Sequence, residues 1–253
     1  MTFQVAPEAY RSFMGRYSEP LALQFAALVD PAPGQRVLDV GCGPGALTGV
    51  LAERLGPSGV AVVDPSPPFV EHVRALLPEV DVRLATAEEL PFADGAFDAA
   101  LAQLVVHFMA DPVAGLREMG RVTRPGGVVA ACVWDHASGA GPLSTFWRAV
   151  RDLDGEAEDE SGRAGVRAGH LVELAGAAGL EAVEESRLQV EVGYASFEDW
   201  WTPYTLGVGP AGAYVAGLDE PRREALRARC AELLPSAPFA VPAAAWCVRA
   251  SAG

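Results

Sequence analysis

The sequence contains no lysine, and its charge is strongly one-sided. All 19 basic residues are arginine, against 33 acidic residues, which gives a formal net charge of −14 over 253 residues. An acidic field of this size repels nucleic acid unless a local basic patch exists. The candidate patch, formed by Arg222, Arg223, Arg227 and Arg229, alternates with glutamates at helical spacing. That spacing predicts ion pairs on a solvated helix face, so we expect no nucleic-acid partner.

Cysteine is scarce and is not spaced for metal binding. The four cysteines are Cys42, Cys132, Cys230 and Cys247. They form no CxxC pair, and no histidine or cysteine stands at the spacing of zinc ligands. We therefore expect small buried thiols and no metal site.

Long apolar runs are also absent, although 50% of the residues are hydrophobic. No run reaches the roughly 18 residues that span a bilayer, so we expect no membrane partner. The segment Met1–Val5 has no basic stretch followed by an apolar one, which predicts no secretory signal and a cytoplasmic location. The length suits a single α/β domain over residues 1–253.

Strand and helix patterns alternate through the first half of the sequence. Apolar runs predict strands at 36–40, 60–64, 80–85, 97–105 and 128–134, separated by helices at 46–55, 67–77 and 111–123. Outside this part we predict helices at 7–17 and 20–29, strands at 188–192 and 239–248, and a group of helices over 196–235. Continuous apolar strands alternating with helices predict a parallel sheet covered by helices on both faces.

The strongest local signal is a glycine-rich turn between a strand and a helix. Val37–Gly45 reads VLDVGCGPG, with Gly41, Gly43 and Gly45 in the turn. Glycine lets the backbone approach a ligand closely and adopt a positive φ. Nineteen residues after Gly45, Asp64 ends the next strand, where a carboxylate can accept both ribose hydroxyls of a nucleoside. The alternative for Asp64 is to cap the following helix.

The same turn fits a second class of protein. The segment from Gly41 to Ala46 matches G-x-G-x-x-G/A, so an NAD(P)- or flavin-dependent oxidoreductase is a live alternative. Asp39 argues against it, because a carboxylate two residues before the first glycine would repel a pyrophosphate and attract an ammonium or sulfonium. The plainer interpretation of Asp39 is that it holds nearby backbone amides.

Four ordered segments carry a family resemblance. Val37–Gly45 resembles motif I of class I S-adenosylmethionine-dependent methyltransferases. Thr86–Phe92, followed by Phe97 and Asp98, is similar to the adenine-side motif of the ubiquinone and menaquinone biosynthesis type, and Arg121–Gly127 resembles that family's helix-to-fifth-strand signature. The resemblance implies S-adenosylmethionine as cofactor. It also implies a Rossmann-like, mostly parallel sheet of seven strands with the last strand antiparallel and a small helical cap.

Roles for individual residues follow from the resemblance. The glycines of the turn border the methionine end of the cofactor, Asp64 takes the ribose, and Ala87 offers a backbone amide to the adenine. Relatives often carry Asp where this chain has Thr86, and Glu88 is a candidate substitute for that charge. The expected cofactor residues are Asp39, Gly41, Cys42, Gly43, Gly45, Asp64, Pro65, Thr86, Ala87, Glu88 and Gln103, with Arg16 and Tyr17 from the N-terminal segment.

The chain is expected to contain three functional parts. Residues 1–34 form a helical lid, 35–135 the cofactor-binding core, and 196–235 a helical cap inserted between the last two strands. In the lid, we predict that Arg16 pairs with the methionine carboxylate and that Tyr17 or Tyr10 shields the sulfonium. The alternative is an ordinary amphipathic helix with Arg16 in solvent.

Methyl transfer from a sulfonium is an in-line displacement that needs no fixed catalytic motif. His107, at the end of the fourth strand, is the candidate general base, and His136 is a weaker one. Trp147, Trp200, Trp201 and Tyr204 are predicted to form a pocket for a small, mostly apolar acceptor. The alternative is that these aromatics anchor the cap to the sheet. A non-catalytic adenosine-ligand binding protein also remains open.

Overall fold

The computed structural model describes residues 7–253. The first six residues of the predicted lid lie outside the described residues, and so does the Met1–Val5 segment that predicts the lack of a secretory signal. Among the described helices, none combines the length and the apolar character that crossing a membrane would require.

A seven-stranded sheet in the order β3-β2-β1-β4-β5-β7-β6 forms the centre of the fold. The strands are β1 (Val37–Val40), β2 (Val60–Asp64), β3 (Asp81–Leu84), β4 (Phe97–Gln103), β5 (Thr123–Trp134), β6 (Glu181–Tyr194) and β7 (Phe239–Ser251). β7 runs antiparallel to both of its neighbours, β5 and β6, and the pairings among β1 to β5 are parallel. The predicted Rossmann-like sheet with an antiparallel last strand is confirmed.

Helices cover both faces of this sheet. They are α1 (Pro7–Tyr10), α2 (Arg16–Val29), α3 (Ala46–Leu55), α4 (Pro67–Leu76), α5 (Pro112–Val122), α6 (Ser144–Leu153), α7 (His170–Ala177), α8 (Phe197–Trp201), α9 (Gly209–Ala216) and α10 (Glu220–Leu233). Along β1, Val37 belongs to one buried cluster, together with Phe25 of α2. Leu38 belongs to the cluster on the other face, with Leu116 of α5. This alternation explains why the core strands read as continuous apolar runs.

The N-terminal segment is one continuous helical rod, so the predicted break between 17 and 20 is wrong. A π turn at Arg11–Gly15 joins α1 to α2, and Pro20 lies inside α2. Proline removes one backbone donor from the helix. Burial of the face that carries Leu21 and Phe25 outweighs that loss, because tertiary packing supplies most helix stability.

The helices α8 to α10 lie between β6 and β7, in the range where helices are predicted. On α10, Arg227 pairs with Glu224 at 3.3 Å and Arg229 with Glu232 at 2.8 Å, which confirms the predicted ion pairs. All four cysteines are buried, as expected. The division into lid, core and cap stays a prediction.

Two strand ends differ from the sequence patterns. β6 begins at Glu181, well before the predicted 188, because its first half is a charged edge strand without apolar alternation. β4 ends at Gln103 and not at 105, because Leu104 adopts a left-handed φ of 61°. This second difference lies beside the candidate site.

Candidate active site

The glycine turn is shaped by packing on one side and by open space on the other. Gly41 has φ 73°, and a Cβ built on it would lie 2.5 Å from Cγ2 of Val105. Gly43 has φ 53°, and a Cβ there would meet nothing within 4 Å. Gly45, at φ 94°, is the N-cap of α3. Position 41 therefore needs glycine, because Val105 leaves no room for a side chain there. Gly43 faces open space that a ligand can occupy.

A main cavity of about 190 Å³ lies at the carboxyl ends of β1, β2 and β4. Its wall is formed by Tyr10, Gly41, Gly43, Asp64, Pro65, Phe69, Ala85, Thr86, Ala87, Glu88, Gln103, Leu104, Val105, Phe108, Met109 and Ala110. This edge, where the strand order reverses between β1 and β4, is where open α/β sheets bind ligands. Most of the predicted cofactor residues thus meet at one cavity.

A small turn recess continues from the main cavity beneath the glycine turn. It adds Ser18, Asp39 and Cys42 to the wall and shares Gly41, Gly43 and Gln103 with the main cavity. Among the cofactor residues predicted within 35–135, Gly45 is the one that lines neither space. It contributes to the site by forming the N-cap of α3.

Asp64 holds the turn and faces the main cavity. Its Oδ2 accepts a hydrogen bond of 2.8 Å from the amide of Gly43, and its Oδ1 accepts one of 2.8 Å from the amide of Ser66. Burial raises the pKa of the Asp64 carboxyl, and these two amide bonds act in the opposite direction. A carboxylate oxygen can accept more than one hydrogen bond, so both interpretations of Asp64 are compatible.

Asp39 is a second buried carboxyl, only 1% exposed, beside the same turn. The hydroxyl of Thr48 donates a 2.7 Å hydrogen bond to its Oδ2. Burial raises the pKa of Asp39 to about 7, and the charge of Asp64 contributes in the same direction. Within residues 7–253, neither carboxylate forms an ion pair with an arginine. The recess therefore favours a positively charged ligand.

Two polar atoms at the recess have no partner within the described part of the chain. Gln103 donates from Nε2 to the carbonyl of Ser18 at 3.0 Å. The Oε1 of Gln103 and the Oγ of Ser18 are buried without hydrogen bonds. Buried polar groups are rarely left unsatisfied. An amino-acid group fits here, because its ammonium can donate to Gln103 and its carboxylate can accept from Ser18.

At the other end of the main cavity, Thr86 and Ala87 line the wall. Glu88 also lines it, but its Oε1 accepts from the amide of Ala110 at 2.8 Å. Glu88 thereby ties the loop after β3 to the loop after β4, so its carboxylate is partly used in a structural contact. An adenine ring would depend mainly on Thr86 and the Ala87 backbone.

The structure places Arg16 away from both spaces, which corrects the predicted contact with a methionine carboxylate. Its Nη1 donates to Oδ1 of Asp199 at 2.8 Å, and its Nη2 donates to the carbonyl of Gly193 at 3.0 Å. The guanidinium carbon also lies 4.2 Å from the ring centre of Tyr194. The cap supplies the carboxylate that Arg16 pairs with, so this contact joins α2 to the cap.

The predicted contact of Tyr17 with the cofactor is corrected too, because Tyr17 lines neither the main cavity nor the recess. It is 2% exposed and its hydroxyl accepts a 2.8 Å hydrogen bond from the hydroxyl of Tyr194. Tyr10, the other candidate for shielding the sulfonium, does line the main cavity and the recess.

A second pocket adjoins the main cavity and shares Tyr10, Leu104 and Phe108 with it. The rest of its wall is formed by Phe13, Met14, His107, Trp134, His136, Leu143, Glu160, Val208, Gly209, Pro210 and Ala211. The wall is mostly apolar, and His107, His136 and Glu160 bring two imidazoles and a carboxyl group to it. Leu104, in its left-handed conformation, lies between the two spaces.

The two histidines of this pocket are neutral near pH 7. His107 follows β4 in a short 3-10 turn, and burial lowers its pKa well below the ordinary value. Burial also lowers the pKa of His136 to about 4. Glu160 is 3% exposed and accepts a 3.2 Å hydrogen bond from Nε1 of Trp147. Sequence analysis gives Glu160 no role, because it stands in a charged segment without a motif.

The predicted acceptor aromatics belong to the packed core instead. Trp147, Trp200, Trp201 and Tyr204 are at most 5% exposed, and none lines the main cavity or the second pocket. The ring of Tyr204 lies 4.7 Å from that of Phe13 and 4.6 Å from those of Phe146 and Trp200. These rings join the N-terminal segment, α6 and the cap. The cap contributes to the pocket through Val208–Ala211.

The fold and the turn together define a Rossmann-like protein with a cavity at the carboxyl end of β1. Residues 38–131 match the family model described as a methyltransferase domain. This part of the chain is therefore similar to the methyltransferase domain family, and the resemblance drawn from the motifs is confirmed.

Two named relatives are similar to parts of this chain. An uncharacterized methyltransferase of Mycobacterium bovis is 43% identical over 105 residues, 42% of each chain. Nocamycin O-methyltransferase of Saccharothrix syringae is 35% identical over 133 residues, 50% of this chain and 48% of the relative. The matches thus span less than half the length of these two relatives.

The fold is shared with phosphoethanolamine N-methyltransferase 2 of Haemonchus contortus, solved with phosphomonomethylethanolamine and S-adenosylhomocysteine. The TM-score is 0.59 at 18% identity, and the match covers 97% of this chain and 56% of that one. At this identity the likeness concerns the fold.

Proposed function

We propose that the chain binds S-adenosylmethionine in the main cavity and turn recess and transfers its methyl group to a small, mostly apolar molecule in the second pocket. The observation that carries this proposal is the pair of buried carboxylates, Asp39 and Asp64, at the glycine turn. Neither has an arginine partner in the part of the chain that the structure describes. Such a site favours a nucleoside that carries positive charge. S-adenosylmethionine carries both an ammonium and a sulfonium.

The proposed contacts follow the polarity of the wall. Asp64 accepts from the ribose hydroxyls, beside Pro65, while Thr86 and the Ala87 backbone contact the adenine. At the amino-acid end, Asp39 and Oε1 of Gln103 face the ammonium, and the hydroxyl of Ser18 donates to the carboxylate. Gly41, Cys42 and Gly43 form the floor beneath it. Each polar atom of the recess then gains a partner of opposite charge or of complementary hydrogen-bonding type.

Methyl transfer requires mainly that the methyl donor and the acceptor are held in line. When bound, the cofactor supplies an electrophilic methyl group on its sulfonium. Tyr10, Leu104 and Phe108, which line both spaces, would exclude water and align the acceptor with that methyl group. His107 would present a neutral imidazole to the acceptor, able to receive a proton as a general base.

The two alternative functions, an oxidoreductase and a non-catalytic binding protein, fit the charge and the pockets of the site less well. A dinucleotide would bring its pyrophosphate close to Asp39 and Asp64, which would repel it. A binding protein without activity has no need of an apolar pocket beside the donor end, and this chain has one. That the relative from Saccharothrix syringae is named for O-methylation of nocamycin supports a small-molecule acceptor.

Turnover tests the proposal. The purified chain is incubated with S-adenosylmethionine and a panel of apolar hydroxyl, amine and carboxylic acid compounds, and S-adenosylhomocysteine is measured by mass spectrometry. We expect formation that depends on an acceptor and is lost in Asp64→Ala. Cofactor binding without turnover on any acceptor class would favour the non-catalytic alternative.

A further inference from the structure

Three side chains from separate parts of the chain converge on the second pocket. His107 follows β4, His136 follows β5, and Glu160 lies in the loop before α7. Each offers one ligand atom, and these three atoms lie within 4.8 Å of one another. All three residues line the pocket wall. Two imidazoles and one carboxylate that meet at a single point form a recognised set of metal ligands.

These groups are not bonded to one another as a proton relay would be. Within residues 7–253 there is no hydrogen bond between any two of them. Glu160 accepts from Trp147, and the Nδ1 of His107 is buried without a partner. His107 is only 8% exposed, so water does not readily satisfy that atom. The arrangement leaves a gap between converging lone pairs, which a bound ion would fill.

Charges of both signs surround the three ligands. The positive charge of Arg163 acts on both histidines. The negative charges of Asp135 and Asp159 oppose that effect at His136. The carboxylate of Glu160 would provide the negative charge among the three ligands.

Neighbouring residues hold two of the ligands in position. Nε1 of Trp147 donates to Oε2 of Glu160, which leaves Oε1 available. A Cβ at Gly141 would lie 2.9 Å from Nδ1 of His136, so only glycine allows the ring to lie there. Contacts of this kind orient ligands in established metal sites. This gives the buried Trp147 a positioning role.

We propose that His107, His136 and Glu160 bind one divalent transition-metal ion of the zinc class, with an open coordination position facing the second pocket. Zinc sites with two histidines, one glutamate and an open position bind water or substrate there, with bonds of about 2.0–2.2 Å. Small side-chain rotations would bring the three ligand atoms to that range.

A metal ion at this site would restrict the chemical class of the methyl acceptor. This step rests on the proposed function. The open position would bind an oxygen of the acceptor, from a hydroxyl or carboxyl group, next to the methyl donor. Coordination favours the deprotonated oxygen, and its proton leaves to solvent as the acceptor binds. With the ion bound, His107 acts as a ligand and the ion replaces it in the proposed general-base role. Methylation would then be directed to oxygen.

The test measures metal binding with no cofactor or acceptor present. The full chain is stripped with chelator and dialysed against Zn²⁺, and bound metal is counted by mass spectrometry. Affinity is then measured by competition with a chromogenic chelator. Glu160→Gln is the main variant, because glutamine keeps an acceptor for Trp147, and His136→Ala is the second. His72→Ala, on the outer helix α4, is the matched control.

We expect one zinc ion per chain, with affinity lowered by about tenfold or more in Glu160→Gln and His136→Ala and unchanged in His72→Ala. Trp147→Phe should lower it by about tenfold, as outer-shell changes do. Absence of stoichiometric zinc in the wild type, or equal affinity in all variants, would overturn the site. Affinity for S-adenosylhomocysteine, measured separately, tests the cofactor site, so the two proposals fail independently.

Discussion

The hydroxyl of Thr48 donates a 2.7 Å hydrogen bond to the buried carboxyl of Asp39, which joins the first turn of α3 to the end of β1. This bond opposes the effect of burial, which raises the pKa of Asp39 to about 7. The protonation of one carboxyl beneath the glycine turn is therefore coupled to whatever cation the recess holds.

The first prediction concerns pH. A cationic ligand favours ionised Asp39, so affinity for S-adenosylhomocysteine should fall as pH decreases below about 7 and level off above it. Binding near pH 7 should release a proton, which calorimetry in buffers of different ionisation enthalpy measures. Thr48→Val should move the midpoint to higher pH. An affinity that is flat from pH 6 to 8 would mean that Asp39 does not face the ligand.

The same carboxyl also affects stability. Because its folded pKa lies above its unfolded value, the free chain should lose stability as pH rises towards and through about 7. Asp39→Asn should remove that loss and raise the melting temperature at pH 8, while weakening cofactor binding. Thermal unfolding of both proteins at pH 5.5 and 8 measures the difference, and a variant less stable at pH 8 would contradict it.

The second prediction concerns Asp64. Asp64→Ala removes the proposed partner of the ribose hydroxyls and frees the amides of Gly43 and Ser66. We expect binding of S-adenosylhomocysteine to weaken by about 1–3 kcal/mol. Asp64→Asn, which keeps one acceptor oxygen, should lose less. Calorimetry on folded variants checks this, and equal affinities for all three proteins would remove Asp64 from the site.

The third prediction separates backbone strain from steric conflict at the turn. Gly34 and Gly41 have similar φ values, 87° and 73°, but only Gly41 has a close neighbour, Val105. Gly34→Ala should cost about 1–2 kcal/mol from the left-handed conformation alone. Gly41→Ala should cost more and abolish cofactor binding, and adding Val105→Ala should recover part of the stability. Equal costs in urea unfolding at both positions would contradict the close contact.

The fourth prediction concerns the amino-acid end of the cofactor. Ser18→Ala should weaken S-adenosylhomocysteine binding by about 1 kcal/mol, and it should leave 5′-methylthioadenosine, which lacks that end, unaffected. Arg16→Ala should change neither affinity, since Arg16 pairs with Asp199. A selective loss in Arg16→Ala would restore the interpretation drawn from the sequence.

The fifth prediction concerns the aromatic core. Trp200→Ala should destabilise the chain by about 3–5 kcal/mol, since the side chain is 1% exposed. Leu206→Ala, at a 42% exposed position of the same cap, should cost far less. Cofactor affinity of the folded fraction should be unchanged in both, because neither residue lines the main cavity. Guanidinium unfolding and calorimetry test the two parts.

The fold and the cavity wall at the glycine turn could be predicted from the sequence because their signals are local. The turn at Gly41 needs glycine for its own backbone and for Val105, and Asp64 stands directly at the end of its strand. Buried parallel strands read as continuous apolar runs, which the sequence displays without any knowledge of their pairing partners.

The second pocket could not be predicted, because its residues meet only through the tertiary structure. Glu160 is far in sequence from His107, and no spacing rule joins them. A tryptophan in the sequence predicts burial, but it does not indicate whether the ring faces a pocket or the packed core. Trp200 lies in the packed core. Arg16 is paired with Asp199, 183 residues away, which no local pattern reveals.

Calorimetry of S-adenosylmethionine, S-adenosylhomocysteine and NAD on the wild type and Asp39→Asn tests whether the turn binds a positively charged nucleoside. We expect binding of both sulfur ligands, no measurable binding of NAD, and a larger loss of affinity for the sulfonium ligand in Asp39→Asn. Binding of NAD with no response to S-adenosylhomocysteine would instead indicate an oxidoreductase.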